Sequence, residues 1–155
     1  MGLASLPALQ KIVRRLKKRK KKTVFTNGCF DLLHAGHLAL LRKAKSLGDI
    51  LIVGLNTDRS VRKLKGKGHP VVSQKDRALV LSALRDVDYV VFFSEPTPVN
   101  LIRSLTPDVL VKGADYKKSE IVGADWVRAS GGRAVRIPLV KGKSSSSIFR
   151  KLEHL

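Results

Sequence analysis

Two histidines three residues apart, His34 and His37, follow a glycine turn and a short apolar run. The stretch reads Thr26-Asn27-Gly28-Cys29-Phe30-Asp31-Leu32-Leu33-His34-Ala35-Gly36-His37. On a helical turn this spacing puts both imidazoles on one side. Gly28 permits a tight turn and close backbone approach, so successive N–H groups can face an anion. A helix opening at the histidines adds positive potential at its N-terminus. Together these features suit phosphate. The same pair also suits a helix cap, a structural metal or a solvated surface, the metal least well because Asp31 is the one obvious third ligand nearby. Cys29 has no base beside it and reads as a small turn residue, not a nucleophile.

Those residues need a scaffold, and the remaining sequence describes one. Thr23–Asn27, Ile50–Leu55, Tyr89–Phe93, Asp108–Val111 and Ala134–Ile137 are short apolar runs of the kind that form strands covered on both faces. Helical patterns fall between them, at about Gly36–Leu47, Asp58–Lys65, Gln74–Leu84, Pro98–Leu105, Ser119–Ala129 and Ser145–Leu152. Ser73 followed by Asp76 resembles a capping box with Asp in place of Glu or Gln. Such alternation predicts an α/β fold: one Rossmann-like domain, a parallel sheet of about five strands with helices on both faces. Sheets of this type bind ligands beyond the carboxyl ends of their strands, where the histidine motif falls. Ahead of this domain (residues 23–155), residues 1–22 read as a basic amphipathic helix from about Pro7 to Lys18, with Leu6, Leu9, Ile12, Val13 and Leu16 at helical spacing.

Composition narrows the function classes. The chain has 155 residues and 43% apolar content, enough for a substantial single core. One cysteine cannot form an internal disulfide, which points to a reducing compartment. No apolar run reaches the ~20 residues that span a bilayer, and the N-terminal apolar stretch precedes its charges, the reverse of a secretory signal. The expectation is a cytoplasmic protein with no membrane partner. The net charge is +19. Nine bases lie before residue 23 with no acid among them, and the remainder still carries 22 bases against 12 acids. Polyanionic substrates, nucleic acid or a solvated basic surface would each account for this. With eight aromatic residues and no recognised nucleic-acid motif, a primarily nucleic-acid-binding role is disfavoured, while a salt-dependent accessory contact through Arg14–Lys22 stays open. Trp126 and the phenylalanines are assigned to packing.

The segment Gly28-x-Phe30-Asp31-x-x-His34-x-Gly36-His37 resembles the signature of the HxGH nucleotidyltransferase superfamily, which includes cytidylyltransferases and pantetheine-phosphate adenylyltransferase. With Arg62-Lys63-Leu64-Lys65-Gly66 and Pro107-Asp108-Val109-Leu110-Val111-Lys112-Gly113-Ala114-Asp115-Tyr116, the likeness is greatest to the adenylyltransferase half of the bacterial ADP-heptose synthases, over about Thr23 to Leu152. This branch often has Arg where His69 stands before Pro70.

The resemblance implies transfer of AMP from ATP to a sugar 1-phosphate, D-glycero-D-manno-heptose 1-phosphate, with release of pyrophosphate and with Mg²⁺ accompanying ATP. Attack on the α-phosphorus is in line and needs no protein nucleophile; positioning and charge stabilisation suffice. It implies catalytic roles for His34, His37 and Lys65. Thr26, Asn27, Gly28, Cys29, Phe30, Gly36, Arg77, Lys112 and Gly113 would bind nucleotide. So would Ser144, Ser145 and Ser146, in a run similar to the family's Gly-x-Ser-Thr-Thr motif, where serines keep the hydroxyls and one also suits a helix cap. Asp31, Lys65 and Asp115 would bind the acceptor, Asp115 being the one side chain considered for metal. Several of these have plainer readings. Lys65 and Lys67 lie in a Lys- and Gly-rich loop that solvent alone would explain. Lys112-Gly113 suits any strand-ending turn. Arg77, in register with Leu81 and Leu84, leans inward and either snorkels or reaches phosphate. Partners would be ATP, the sugar phosphate, a separate sugar kinase upstream and a second copy of the chain. The alternatives are a glycerol-3-phosphate cytidylyltransferase or other small-molecule nucleotidyltransferase and, outside that class, a non-enzymatic nucleic-acid-binding protein.

Overall fold

The apolar runs become strands because each sends alternate side chains to two covered faces. The computed structural model describes residues 2–113, 121–138, 142, 145, 148 and 149. Among them β2 (Thr23–Gly28), β3 (Ile50–Asn56), β4 (Tyr89–Phe93), β5 (Val109–Gly113) and β6 (Arg133–Ile137) realise the five expected strands. Val24, Leu51, Val53, Val90, Val109 and Val111 face one core, with Leu41 and Ala44 of α2 (Ala35–Lys45) and Ala78 and Leu81 of α4 (Gln74–Ser82). The intervening Phe25, Ile52, Val91 and Leu110 face the other. There they meet Leu9 and Val13 of α1 (Leu6–Lys18), Leu101 and Ile102 of α5 (Val99–Leu105) and Val127 of α6 (Ala124–Ala129).

The sheet has six strands, not about five, in the order β1-β4-β3-β2-β5-β6, and every described pairing is parallel. The additional strand is β1, Gly2–Leu3, paired with Tyr89 and Val90. Two residues are too few to show any periodicity. With β1 in the sheet and Leu9 and Val13 buried, residues 2–22 are built into the same fold as the rest. Ser73 caps α4 as expected: its Oγ accepts from the Asp76 N–H and donates to the Asp76 carboxylate at 2.7 Å. The helix α3 spans Asp58–Lys65, as read from the sequence.

The strand order places the site. From β2 the chain proceeds outward through β3 to β4, then returns to lay β5 on the other side of β2. The crevice beyond the carboxyl ends of β2 and β5 is thus the topological switch point, where α/β sheets take ligands. Gly28 ends one of these strands and Gly113 the other.

Candidate active site

Beyond Gly28 the backbone turns sharply, and Phe30 adopts a left-handed conformation (φ 46°). That turn folds the Phe30 ring back over Gly28, where a Cβ would stand 3.1 Å from the ring. The ring, nearly fully buried, then packs on His37 with centroids 5.1 Å apart. A side chain at Gly28 would thus press on the Phe30 ring, and Phe30 forms a wall of the histidine pair.

His34 is the N-cap of α2, and its Nδ1 accepts the Gly36 N–H at 3.1 Å. An accepting nitrogen carries no proton, so in the neutral ring the proton sits on Nε2, which is left to donate. The rings of His34 and His37 stack with centroids 3.9 Å apart and planes inclined by 28°. Burial pushes the His37 imidazole down to about 4, helped by His34 and by the Lys65 ammonium. Burial also lowers His34. Both rings are neutral hydrogen-bond donors at neutral pH. Thr26 Oγ1, Asn27 Oδ1 and His37 Nδ1 are buried without a hydrogen-bond partner among the described residues. Buried polar atoms are ordinarily paired, so three orphans in one twelve-residue segment mark a surface shaped for a polar ligand.

Asp31 is bound by the protein itself. Its carboxylate is fully buried, with one oxygen accepting from the Val71 and Val72 N–H groups (2.8 and 3.0 Å) and the other 3.1 Å from His69 Nδ1. Burial alone would raise its pKa; the bonds from Val72, His69 and Val71 outweigh that and hold it below the usual carboxylate value. With both oxygens engaged, Asp31 anchors the segment leading into α4. Arg77 leans inward as expected, but its guanidinium meets protein, not open space. It donates from Nε to Val72 O at 2.9 Å, from Nη1 to Cys29 O, and from Nη2 to the Asp58 carboxylate at 2.7 Å. Arg77 thus joins the histidine turn, the 69–72 segment and α3. Asp58 carried no signal beyond being an acid at a helix start, although a buried arginine requires such a partner.

Cys29 is a half-buried turn residue whose thiol approaches Asn56 Oδ1 at 3.9 Å. Burial raises its pKa, against the pull of Lys65, Arg77 and Lys112, so it is no thiolate nucleophile. The influence of Lys65 on both His37 and Cys29 brings the end of α3 to the site, and that of Lys112 on Cys29 brings the end of β5 there. Ser145 Oγ donates to Leu32 O at 3.3 Å, which sets Ser145 beside the histidine motif. Lys67 is exposed, and Gly36 is buried in the first turn of α2. Asp115, Ser144 and Ser146 lie outside the described residues. Among those described, no group of three His, Cys, Asp or Glu side chains is placed to hold a metal. Trp126, assigned to packing, lies at the surface, its Nε1 donating to Thr106 Oγ1 at 3.4 Å. No described helix is long and apolar enough to cross a membrane.

Comparison with known proteins agrees with this geometry. The cytidylyltransferase-like family model matches residues 25–150. The chain is 53% identical over 151 residues to the Bifunctional protein HldE of Wolinella succinogenes and 55% identical over 152 residues to that of Campylobacter concisus. Each match covers 97% of this chain but 31% of the relative, so the chain spans about a third of the length of these relatives. Among solved structures, the lipopolysaccharide core biosynthesis protein from Thermoplasma volcanium superposes with a TM-score of 0.64 at 28% identity, covering 78% of this chain and 98% of that one. The pantoate-beta-alanine ligase from Francisella tularensis gives 0.66 at 18% identity, over 100% of this chain and 78% of that one, a likeness of fold alone. A glycine turn, a stacked histidine pair at the switch point and a match over most of the sequence lead to one assignment: the chain belongs to the cytidylyltransferase-like family of nucleotidyltransferases.

Proposed function

We propose that this domain transfers AMP from ATP to a sugar 1-phosphate, D-glycero-D-manno-heptose 1-phosphate, forming the nucleotide-activated sugar and pyrophosphate. The observation that carries the chemistry is the neutral, stacked His34–His37 pair, with the His34 proton fixed on Nε2 by the Gly36 N–H. An oxygen of the sugar phosphate attacks the α-phosphorus of ATP; the new P–O bond forms as the bond to pyrophosphate breaks. The histidines donate to the phosphoryl oxygens as charge develops, and desolvation of the pair strengthens those bonds. Neutral donors suit this role because they lose no proton in the step. Thr26, Asn27 and Gly28 line the turn, while Lys65 and Lys112 supply positive charge from the ends of α3 and β5.

Mg²⁺ accompanies ATP and screens its phosphates. With the Asp31 oxygens engaged and no metal-binding cluster among the described residues, no step is assigned to a protein-held metal. The heptose assignment is supported by the motif likeness and by about half identity to the relatives named Bifunctional protein HldE. A kinase has to supply the sugar phosphate. The name of the matching family favours a second reading, in which the same chemistry joins CMP from CTP to glycerol 3-phosphate.

Pyrophosphate release decides between them. Each nucleoside triphosphate is paired with heptose 1-phosphate and with glycerol 3-phosphate, with His37→Ala as control. Release that requires ATP and heptose 1-phosphate and disappears in the variant is the expected result. Release with CTP and glycerol 3-phosphate keeps the mechanism and replaces the substrates. Silence from folded protein with every pair removes the proposal.

A further inference from the structure

The basic run Arg14–Lys22 lies at the opposite end of the sheet from the histidines. All strands run parallel, so the turns entering them share one edge and the turns leaving them share the other. Lys22 immediately precedes β2, whereas the histidine turn follows it. Six residues of strand separate the two ends by roughly 20 Å at about 3.3 Å per residue. A phosphate held by His34 and His37 is out of reach of these side chains. The charge at this edge therefore does not act on that phosphate.

Among the described residues, the acids near this edge have partners. Asp49 accepts from Lys21 Nζ and the Lys22 N–H, Asp88 from Lys45 and the Leu51 N–H, and Asp108 from Thr23; Asp86 and Asp125 pair with Arg42 and Arg128. Arg14, Lys18, Arg19 and Lys20 are exposed, and their side chains have no carboxylate partner among the described residues. Their scaffold is fixed, because Leu9 and Val13 of α1 are buried in the core.

An aromatic ring completes the surface. Lys17 Nζ donates to Thr106 O at 2.6 Å and Trp126 Nε1 donates to Thr106 Oγ1, so the basic helix and the tryptophan meet at one residue. The Arg103 guanidinium lies 5.6 Å from the Trp126 ring centre, and the ring is 43% exposed. Cations that grip phosphates, next to an exposed ring on which a base can stack, are the two components of non-specific single-strand binding. A bilayer fits less well: an interfacial helix needs a free apolar face, and that of α1 is inside the protein.

We propose that this edge binds single-stranded nucleic acid without sequence preference, its phosphates on Arg14, Lys18, Arg19 and Lys20 and a base on Trp126. This binding is independent of the catalytic reading, because the two surfaces share no residue. Trp126 is the sole tryptophan, so its fluorescence reports on this surface alone.

The test titrates the full chain with a mixed-sequence single strand of about 20 nucleotides, longer than the ~4–16 that one such surface covers. Quenching of Trp126 is expected, with affinity falling at least about tenfold between about 50 and about 200 mM salt. The combined Arg14→Gln, Lys18→Gln, Arg19→Gln and Lys20→Gln variant is expected to melt as the parent does. It should bind at least about tenfold more weakly, with a salt slope shallower by about 0.7 for each phosphate no longer neutralised. Trp126→Leu, followed through a labelled strand, should weaken binding severalfold. Absence of quenching at low salt overturns the proposal. So does undiminished binding by the glutamine variant, which would put the strand elsewhere. Capture by phosphatidylserine vesicles, with the oligonucleotide ignored, overturns it in favour of a membrane surface.

Discussion

The rings of His34 and His37 stack 3.9 Å apart, so a proton on one opposes a proton on the other. Burial is the larger influence and holds His37 near 4, with His34 and Lys65 adding to it. A site that needs an imidazolium would lose activity as pH rises through 6 to 7. Here the contribution of His37 to turnover is expected to be level from about pH 8 to about pH 6, because that donor is already neutral. Stability has its own acid limb. Between the ordinary histidine value of 6.5 and about 4, the unfolded chain binds a proton at His37 that the folded chain does not. Stability is therefore complete above that window and falls as pH drops through it, by up to about 1.4 kcal/mol per pH unit. Melting temperatures measured against pH should show this slope, and His37→Gln should flatten it. A slope unchanged in the variant would remove His37 as its source.

Asp31→Ala is expected to destabilise the protein by about 1–3 kcal/mol, since the partly buried Val71 and Val72 N–H groups lose their acceptor. Asp31→Asn keeps an oxygen for them and should cost less. If Asp31 bound the acceptor sugar phosphate, the asparagine variant would raise KM for that substrate alone. If it anchors the 69–72 segment, denaturant midpoints fall in the order parent, Asn, Ala, with KM little changed.

Arg77 reaches three acceptors on three segments, Cys29 O, Val72 O and Asp58. Arg77→Ala strands them and should cost about 2–4 kcal/mol, moderated by the partial exposure of Asp58. Arg77→Lys keeps the charge but lacks the fork, and should recover little. Because Cys29 belongs to the histidine turn, kcat should fall in both variants even at saturating ATP. A variant that loses only ATP affinity would instead show Arg77 holding phosphate directly.

The sequence made the architecture legible because both periodicities were intact. The alternation of Val24 with Phe25 and of Val90 with Val91 divides the two cores, and the capping serine Ser73 marks the start of α4. The histidine motif was legible because its residues are contiguous. What did not show were partnerships across the chain. Asp31 and Val72 are 41 residues apart, and Arg77 and Cys29 are 48 apart. No local pattern distinguishes a carboxylate that will bind substrate from one that will clamp a loop. Trp126 departs from expectation for a similar reason: residue type favours burial, and only the packing of α6 decides which side of the helix is outermost.

Gly28 offers the most local test of how the turn works. A methyl group there would lie 3.1 Å from Phe30 Cε2 and 3.4 Å from Cδ2, contacts from which the ring must retreat by a few tenths of an ångström. Phe30 has little freedom to do so, because its backbone is already left-handed and its ring packs on His37. Gly28→Ala should cost about 1–3 kcal/mol as overpacking. The larger effect should be on kcat, since displacement of the ring disturbs the stacked imidazoles. Strain at the glycine itself and pressure on the ring are separable by a double-mutant cycle. If the ring is responsible, Gly28→Ala costs much less in a Phe30→Ala background than in the parent, and the two substitutions couple in both melting temperature and kcat. Additive effects would instead mean that an incoming phosphate, not Phe30, needs the space above Gly28.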